Sequence, residues 1–388
     1  MHHLTLVLAI CLSFAVTIDS QKKIVCYFAS WAYSRDSIGK YDISNIDPTL
    51  CTHLIYSFIG LNADASIKIL DYQREVTNNG FRMFNELRQK SPSTKTIVSI
   101  GGWTEGSDQF TRVVSDSNLR ARFVSNIVAF LKQYNFNGLD VDWEYPAQRG
   151  GKPSDKENFV ILLRELKQTF GREGFSLSAA VNPTEYGAGQ SYNIREISKS
   201  LDFINLMTYD YHGTFDEDKT VGHNAPLYAA PGENANQKTL NVNSSVNFWI
   251  SQGAPIEKIN VGTAFYGRSF TLADPNQHKR GSPFIAEGKA GPYTKNAGTL
   301  AYYEICTYTD RENWTVRYDP EQHVVYAFKA DQIVGYDDVN SITEKAAYIK
   351  NLNLGGAMVW SIDQDDSNGV CNGGRVPLLR ALNKVLRN

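Results

Sequence analysis

Apolar residues in this chain gather into short, nearly continuous runs, and longer segments with helical spacing separate those runs. Eight of the runs are rich in Val, Ile, Leu or Ala and are predicted to be strands, at residues 23–30, 52–60, 95–102, 136–145, 176–181, 203–210, 258–267 and 355–363. Continuous apolar runs of this length are typical of parallel strands that are covered on both faces. The pattern therefore predicts a parallel sheet inside the protein.

Helical periodicity predicts helices between the strands, at residues 79–90, 108–134, 154–170 and 377–386. A capping-box pattern, Ser154 with Glu157, opens one of them, and Ser341 with Glu344 repeats the pattern before residues 346–352. Eight strand–helix units in about 370 residues predict an α/β fold, the (β/α)8 or TIM barrel. An open doubly wound sheet is the alternative, but no Gly-x-Gly-x-x-Gly pattern follows the first strand.

One connection is longer than a barrel needs. About 70 residues separate the seventh predicted strand from the helix near Ser341, and an unstructured loop of that length is uncommon. The stretch has enough aromatic side chains for a small core: Tyr293, Tyr302, Tyr303, Tyr308, Trp314, Tyr318, Tyr326 and Phe328. We therefore expect an α+β insertion subdomain at residues 268–335, between strand 7 and helix 7, with residues 21–267 and 336–388 forming the barrel.

The first 20 residues have the pattern of a secretory signal peptide. An apolar run at residues 4–16 precedes Thr17-Ile18-Asp19-Ser20, and this run is too short to span a bilayer. No later run reaches 18 apolar residues. The sequence thus predicts a secreted, extracellular protein with no membrane partner.

Secretion changes the interpretation of the cysteines. Once Cys11 leaves with the signal peptide, four cysteines enter an oxidising compartment: Cys26, Cys51, Cys306 and Cys371. Three pairings are formally possible. Local closure is easiest between Cys26 and Cys51, because they lie in the first strand and just ahead of the second.

Composition and charge exclude some partners. The chain of 388 residues is 42% hydrophobic and has a formal charge of −2, so no basic excess points to nucleic acid or to an anionic membrane. A monomer is expected. In a secreted protein, Asn243 and Asn313 are predicted glycosylation sites because each begins an Asn-x-Ser/Thr sequence.

The candidate chemistry lies in the fourth predicted strand, where Asp140, Asp142 and Glu144 alternate with three apolar residues. On a strand, this spacing places the acids on one face and the apolar residues on the other. Mutual repulsion and burial would keep a proton on one acid near neutral pH, which a general acid requires. A solvated edge strand and a Mg²⁺ or Ca²⁺ site are the alternatives.

This stretch resembles the Asp-Gly-x-Asp-x-Asp-x-Glu signature of glycoside hydrolase family 18, the chitinases. Asn137 replaces the first Asp of the signature. By parity, position 137 lies off the acid face, so we expect the loss of that charge to leave the acid face intact. The resemblance implies the disulfide pairing Cys26 with Cys51 and Cys306 with Cys371, and a groove with one wall formed by the insertion.

Other strand ends resemble the family's motifs as well. The resemblance implies that they bind the sugars of chitin or chitooligosaccharides, through Trp31, Gly102, Trp103, Met207, Asp210, Tyr266, Arg268 and Trp360. Each residue also has a structural interpretation. The tryptophans could fill the core, Tyr209 and Asp210 could form a buried hydrogen-bonded pair, and Arg268 could form a surface ion pair.

The resemblance implies retaining hydrolysis of β-1,4 linkages between N-acetylglucosamine units, with no metal or cofactor. Glu144 would act as the general acid and base, and the substrate's own acetamide would attack and form an oxazolinium ion. Asp142 would accept the acetamide N–H, Asp140 would share a proton with Asp142, and Tyr209 would donate to the acetamide oxygen.

Two other functions are compatible with such a barrel. A chitin-binding lectin or growth-factor-like protein typically lacks the catalytic Glu, which this chain keeps as Glu144. A metal-dependent hydrolase would lose activity in EDTA.

Overall fold

The structure is a computed structural model that describes residues 21–387. Its centre is a closed barrel of eight parallel strands. In chain order they are Lys23–Ala29, His53–Leu61, Lys95–Gly101, Gly138–Asp142, Ser176–Val181, Phe203–Leu206, Ile259–Ala264 and Gly356–Trp360. The first strand pairs in parallel with both the second and the eighth, which closes the barrel. The predicted TIM barrel is confirmed, and the predicted signal peptide lies outside the described residues.

Helices cover the outside of the barrel. The α-helices are Gly80–Glu86, Asp108–Ser115, Ser117–Tyr134, Asp155–Glu173, Glu185–Ser191, Ile194–Ser200, Val242–Ser251, Tyr302–Arg311, Val339–Asn351 and Pro377–Leu386. Short helical turns of other types are Ser30–Ser34, Ser37–Gly39, Ile43–Asn45, Pro48–Leu50, Gln73–Thr77, Leu87–Gln89, Gln237–Thr239, Ile256–Lys258 and Ile362–Gln364. Within the described residues, no helix is long and apolar enough to cross a membrane.

The helix starts differ from the sequence predictions in three places. The predicted helix at 108–134 is two helices, because Asp116 breaks it and caps the second one by accepting the N–H groups of Asn118 and Leu119. Ser154 makes no capping hydrogen bond. At the helix Val339–Asn351 the cap is Asp338, which forms a capping box with Ser341. Both predicted capping boxes were therefore wrong.

The fourth strand has the predicted polarity. Its apolar residues Leu139 and Val141, together with Trp143, are buried in the core between the barrel and the helices. Trp143 stacks on Phe110 at 5.0 Å and meets Phe159 edge-on at 5.7 Å, where the distances join ring centroids. This packing fixes the strand's orientation and leaves its acids facing the barrel interior.

The segment between the seventh barrel strand and the helix Val339–Asn351 forms a second, antiparallel sheet. Its six strands are Tyr266–Leu272, Phe284–Glu287, Thr299–Ala301, Thr315–Asp319, Val324–Lys329 and Gln332–Tyr336, and it carries the helix Tyr302–Arg311. A further short strand, Ile67–Lys68, pairs with the second barrel strand. The division into two units at residues 268 and 335 stays a prediction.

Two disulfides tie distant segments together. Cys26 is bonded to Cys51, which joins the first barrel strand to the segment before the second. Cys306 is bonded to Cys371, which joins the helix Tyr302–Arg311 to the chain that follows the eighth barrel strand.

Candidate active site

Asp140 is fully buried at the centre of a hydrogen-bond network inside the barrel. Its Oδ2 accepts the hydroxyl groups of Tyr27 at 2.7 Å and Ser99 at 2.8 Å. Its Oδ1 accepts the Ser178 hydroxyl at 2.6 Å and the Asn205 amide at 3.4 Å. Burial raises the pKa of Asp140, while these donors act in the opposite direction. Four neutral donors therefore fix this carboxyl group.

Asp142 lies two residues after Asp140, at the end of the fourth strand nearer the barrel mouth, and has a different environment. It is buried, and its Oδ1 has no hydrogen-bond partner within the described residues. Burial raises the pKa of Asp142 well above its ordinary value, and the charges of Glu144 and Asp140 add to this effect. The predicted proton sharing between Asp140 and Asp142 stays a prediction.

Glu144 follows the end of the fourth strand and is 9% exposed at the barrel mouth. Burial raises the pKa of Glu144 to about 7, although a hydrogen bond with Tyr145 and the charge of Arg149 act in the opposite direction. Two adjacent, buried carboxyl groups cannot both ionise easily, so the pair holds a proton near neutrality. The arrangement provides a proton donor at the groove.

A second polar group stands at the ends of the sixth and seventh barrel strands. Asp210 accepts hydrogen bonds from the Tyr266 hydroxyl at 2.6 Å and from Arg268 Nε at 2.7 Å. The Asp210 backbone has φ 56°, and its N–H donates to Asn224 Oδ1 at 2.9 Å. The three predicted sugar-binding residues are thus assembled into one ion-paired cluster.

Tyr209 and Met207 line the barrel interior close to that cluster. The Tyr209 ring meets the Tyr266 ring edge-on at 6.0 Å between centroids. The Tyr209 hydroxyl contacts Met358 Sδ at 3.7 Å, which is a weak acceptor. Met207 is 8% exposed and packs in the same inner cluster. A ligand oxygen is a stronger acceptor than a thioether, so it can take the single O–H donor of Tyr209 in place of Met358.

Three aromatic side chains form a continuous surface on the other side of the mouth. Trp360 stacks on Phe58 at 5.7 Å and lies 6.2 Å from Trp31, measured between ring centroids. Trp31 also stacks on Phe58 at 6.0 Å and is 44% exposed. Exposed rings in a row provide faces on which the C–H groups of a pyranose can pack.

The third strand ends in a close approach to the fourth. Gly102 has φ 83°, and its N–H donates to the Asp142 carbonyl at 2.8 Å. A Cβ atom at this position would lie 2.6 Å from the Phe58 ring. Only glycine fits here, and the turn places Trp103, which is 62% exposed, beside the acids' strand.

Asn137 lies at the opposite end of the fourth strand from Glu144. Its Oδ1 accepts the Thr96 backbone N–H at 2.9 Å, and its own N–H donates to the Thr96 carbonyl at 2.7 Å. The Asn137 amide oxygen accepts the Thr96 N–H as a carboxylate oxygen would. The position therefore ties the third strand to the fourth, away from the acids.

Several residues of the site were missed in the sequence. They are Tyr27, Ser99, Ser178 and Asn205 around Asp140, and Phe58, Tyr145, Arg149 and Asn224 near the mouth. A usable signal existed for Ser99 and Ser178, because both are polar residues within buried runs. In the sheet register both stand directly opposite Asp140.

Among the described residues, the side chains that could share a metal ion lie away from the three acids. Within residues 21–387, the group of such side chains close enough to share an ion is Cys306, Asp366 and Cys371. The two cysteines are bonded to each other, so they offer no thiolate.

Comparisons with known proteins agree with this geometry. Residues 23–365 match the family described as glycosyl hydrolases family 18. The endochitinase of Manduca sexta is 41% identical over 384 residues, which are 96% of this chain and 69% of that protein.

Solved structures show the same fold. The Group IV chitinase of Ostrinia furnacalis is 43% identical with a TM-score of 0.92, covering 95% of this chain and 100% of that one. Human YKL-39, described as a pseudo-chitinase with retained chitooligosaccharide binding, is 39% identical with a TM-score of 0.89, covering 95% and 100%. By its family match and these similarities, the chain belongs to glycosyl hydrolases family 18.

Proposed function

We propose that this chain is a secreted chitinase that hydrolyses β-1,4 linkages between N-acetylglucosamine units of chitin and chitooligosaccharides. One observation carries the proposal. Glu144 stands at the barrel mouth with the pKa of its carboxyl group raised to about 7, beside the buried Asp142. A carboxyl group in this state can give its proton to a glycosidic oxygen and later take one from water.

The positions of the other acids favour attack by the substrate itself. Asp142 ends the fourth strand and Glu144 follows two residues later, so both approach the sugar from one side. Asp210 is engaged by Arg268 and Tyr266 and is not free to act as a nucleophile. A two-carboxylate mechanism needs an acid on each side of the anomeric carbon, and the substrate-assisted route does not.

In this route the acetamide oxygen attacks the anomeric carbon while Glu144 protonates the leaving oxygen. The unpartnered Asp142 Oδ1 accepts the acetamide N–H, and the Tyr209 hydroxyl donates to the acetamide oxygen. Water then opens the oxazolinium ion, with Glu144 as the base, and the product retains its configuration. Asp140 lies deeper in the barrel, where its charge helps to raise the pKa of Asp142, and it shares a proton with Asp142.

The remaining residues bind the chain of sugars. Trp31, Trp103 and Trp360 offer stacking faces, and the cluster of Asp210, Tyr266 and Arg268 supplies hydrogen bonds to hydroxyl or acetamide groups. Met207 shapes the pocket, and Gly102 leaves space at the third strand's end.

Turnover separates this proposal from a binding function. A fluorogenic chitobiose or chitotriose substrate should be cleaved, because Glu144 is present. Activity should persist in EDTA, since nothing in the proposed reaction uses a metal ion. Binding of chitooligosaccharides without any turnover would favour a pseudo-chitinase and overturn the proposal.

The pH profile of kcat/KM should report the proton on Glu144. The carboxyl group must be protonated to act as the acid, and burial raises its pKa to about 7. Activity should therefore persist below that pH and fall as the pH rises through about 7. A profile that stays flat up to pH 9 would contradict the assignment of Glu144 as the acid.

Secretion and its consequences belong to the same proposal. We expect cleavage within residues 17–20, a monomer, and glycans on Asn243 and Asn313. Asn313 is exposed at a backbone φ of 58°. Asn243 is half-buried in the helix Val242–Ser251, where its Oδ1 accepts the Tyr348 hydroxyl at 3.1 Å. Mass spectrometry of protein secreted from insect cells measures both the N-terminus and the occupancy.

A further inference from the structure

Arg149 contacts both Trp103 and Glu144 at the barrel mouth. It lies in the loop that follows the fourth strand, and its guanidinium carbon is 3.6 Å from the centroid of the Trp103 ring. Its Nη1 donates to the main-chain carbonyl groups of Trp103 and of Glu144, each at 2.9 Å. One side chain thus covers a face of an exposed tryptophan and holds the backbone of the general acid.

The loop is shaped to bring this side chain back over the groove. Arg149 has φ 50° and Gly150 has φ 90°, both in the left-handed region that most residues avoid. The turn directs the guanidinium group towards Trp103 and the Glu144 carbonyl. A flat, charged guanidinium group is suited to stack on an indole and donate to carbonyls at the same time.

An exposed tryptophan needs such support to act as a sugar platform. Trp103 is 62% exposed, so a free side chain would have to be ordered each time a substrate binds. Ordering a mobile side chain reduces affinity, and a platform held in place beforehand avoids that loss. The Arg149 stack leaves the other face of the indole available.

We propose that Arg149 is a positioning residue that holds Trp103 and Glu144 in register, so that a pyranose stacked on Trp103 is presented to the general acid. This inference rests on the proposed chitinase activity and deepens it. Arg149 does not itself touch the bond that breaks. Arg149 affects substrate binding by holding Trp103, and it affects proton transfer by holding the backbone of Glu144.

The charge of Arg149 gives the proposal a second readout. The titratable groups that act on Glu144 or share its environment are Asp140, Asp142, Tyr145, Tyr192, Tyr209, Asp210 and Arg149. Asp210 raises the pKa of Glu144, whereas the positive charge of Arg149 lowers it. Removing that charge should therefore raise the pKa of Glu144 and move the basic limb of activity to higher pH.

Three variants test the proposal on chitohexaose. Arg149→Gln should raise KM about 2- to 30-fold, the range of a cation–π contact, with kcat changed less than KM. The basic limb of the pH profile of kcat/KM for Arg149→Gln should move to higher pH. Arg149→Lys keeps the charge without the planar group, so its basic limb should stay in place while KM rises. In a Trp103→Ala background, Arg149→Gln should cause no further rise in KM.

Arg82→Gln is the matched control, because it also removes one positive charge but from an exposed helix pair with Glu86. It should leave KM and the pH profile unchanged. The proposal is overturned if Arg149→Gln keeps the wild-type KM and basic limb, or if its effect on KM adds fully to that of Trp103→Ala. If Arg149→Gln lowers the melting temperature and kcat together, the proposal is also overturned, because that result indicates only a structural role for Arg149.

The chitinase activity and the positioning role of Arg149 can be refuted separately. A wild-type protein that binds chitohexaose but never cleaves it would refute the chitinase proposal. The effect of Arg149 on Trp103 can still be measured in that case. The readout is the change in the Kd for chitohexaose that Arg149→Gln causes in the wild-type protein and in the Trp103→Ala protein.

Discussion

Replacement of Glu144 by Gln should strongly reduce turnover of chitohexaose while leaving its binding intact. Glutamine keeps the size and polarity of the side chain but has no proton to give to the glycosidic oxygen. General acid–base catalysis contributes about 10²–10⁴-fold to rate, which corresponds to about 3–5 kcal/mol of the activation barrier. We therefore expect kcat to fall by at least about 10²-fold.

Binding and a control variant make this result specific. The Kd of the Glu144→Gln protein for chitohexaose, measured by calorimetry, should stay close to that of the wild type. Glu165→Gln removes a carboxylate of the same type from an outer helix, where it pairs with Arg120, and should leave kcat unchanged. Near wild-type hydrolysis by the Glu144 variant would refute the assignment of the acid.

The second large effect concerns the acetamide group of the substrate. Chitohexaose should be cleaved, whereas cellohexaose and the hexamer of glucosamine should not, because neither carries the acetamide oxygen that attacks. A positioned internal nucleophile is worth several orders of magnitude in rate. We expect a difference of about 10³-fold or more in kcat/KM.

Binding of the unreactive hexamers must be measured beside their cleavage. If cellohexaose competes with chitohexaose for the groove yet is not hydrolysed, the missing step is the attack and not the docking. Comparable cleavage of chitohexaose and cellohexaose would rule out substrate assistance.

Local patterns predict this fold well because a barrel repeats one unit. The eight predicted strands all exist, and the final helix is found at Pro377–Leu386 as expected. Alternation also predicted the face of Asp140 and Asp142 correctly, since the apolar residues beside them had to face the helices. The strand ends at Asp142 and not at residue 145 as predicted, so Glu144 follows it. Periodicity thus fixes which face of a strand each side chain occupies.

Features that depend on neighbouring elements were harder to predict. The predicted cap at Ser341 failed because Asp338, three residues earlier, caps that helix in the folded chain. Ser154 occupies the N-cap position of its helix but makes no capping hydrogen bond. The donors around Asp140 come from four other strands and meet only through the barrel's register. Arg149 reaches Trp103 through a left-handed loop turn that no periodicity encodes.

The anomeric form of the first product tests the central claim most directly. Proton NMR during hydrolysis of chitohexaose can observe the new reducing end before it mutarotates. The acetamide attacks from the face opposite the leaving group, and water then opens the oxazolinium ion from the face that the leaving group occupied, so the β anomer is predicted at first. Initial release of the α anomer would mean that water displaces the leaving sugar directly, and would contradict the mechanism built on Glu144 and the substrate's own amide.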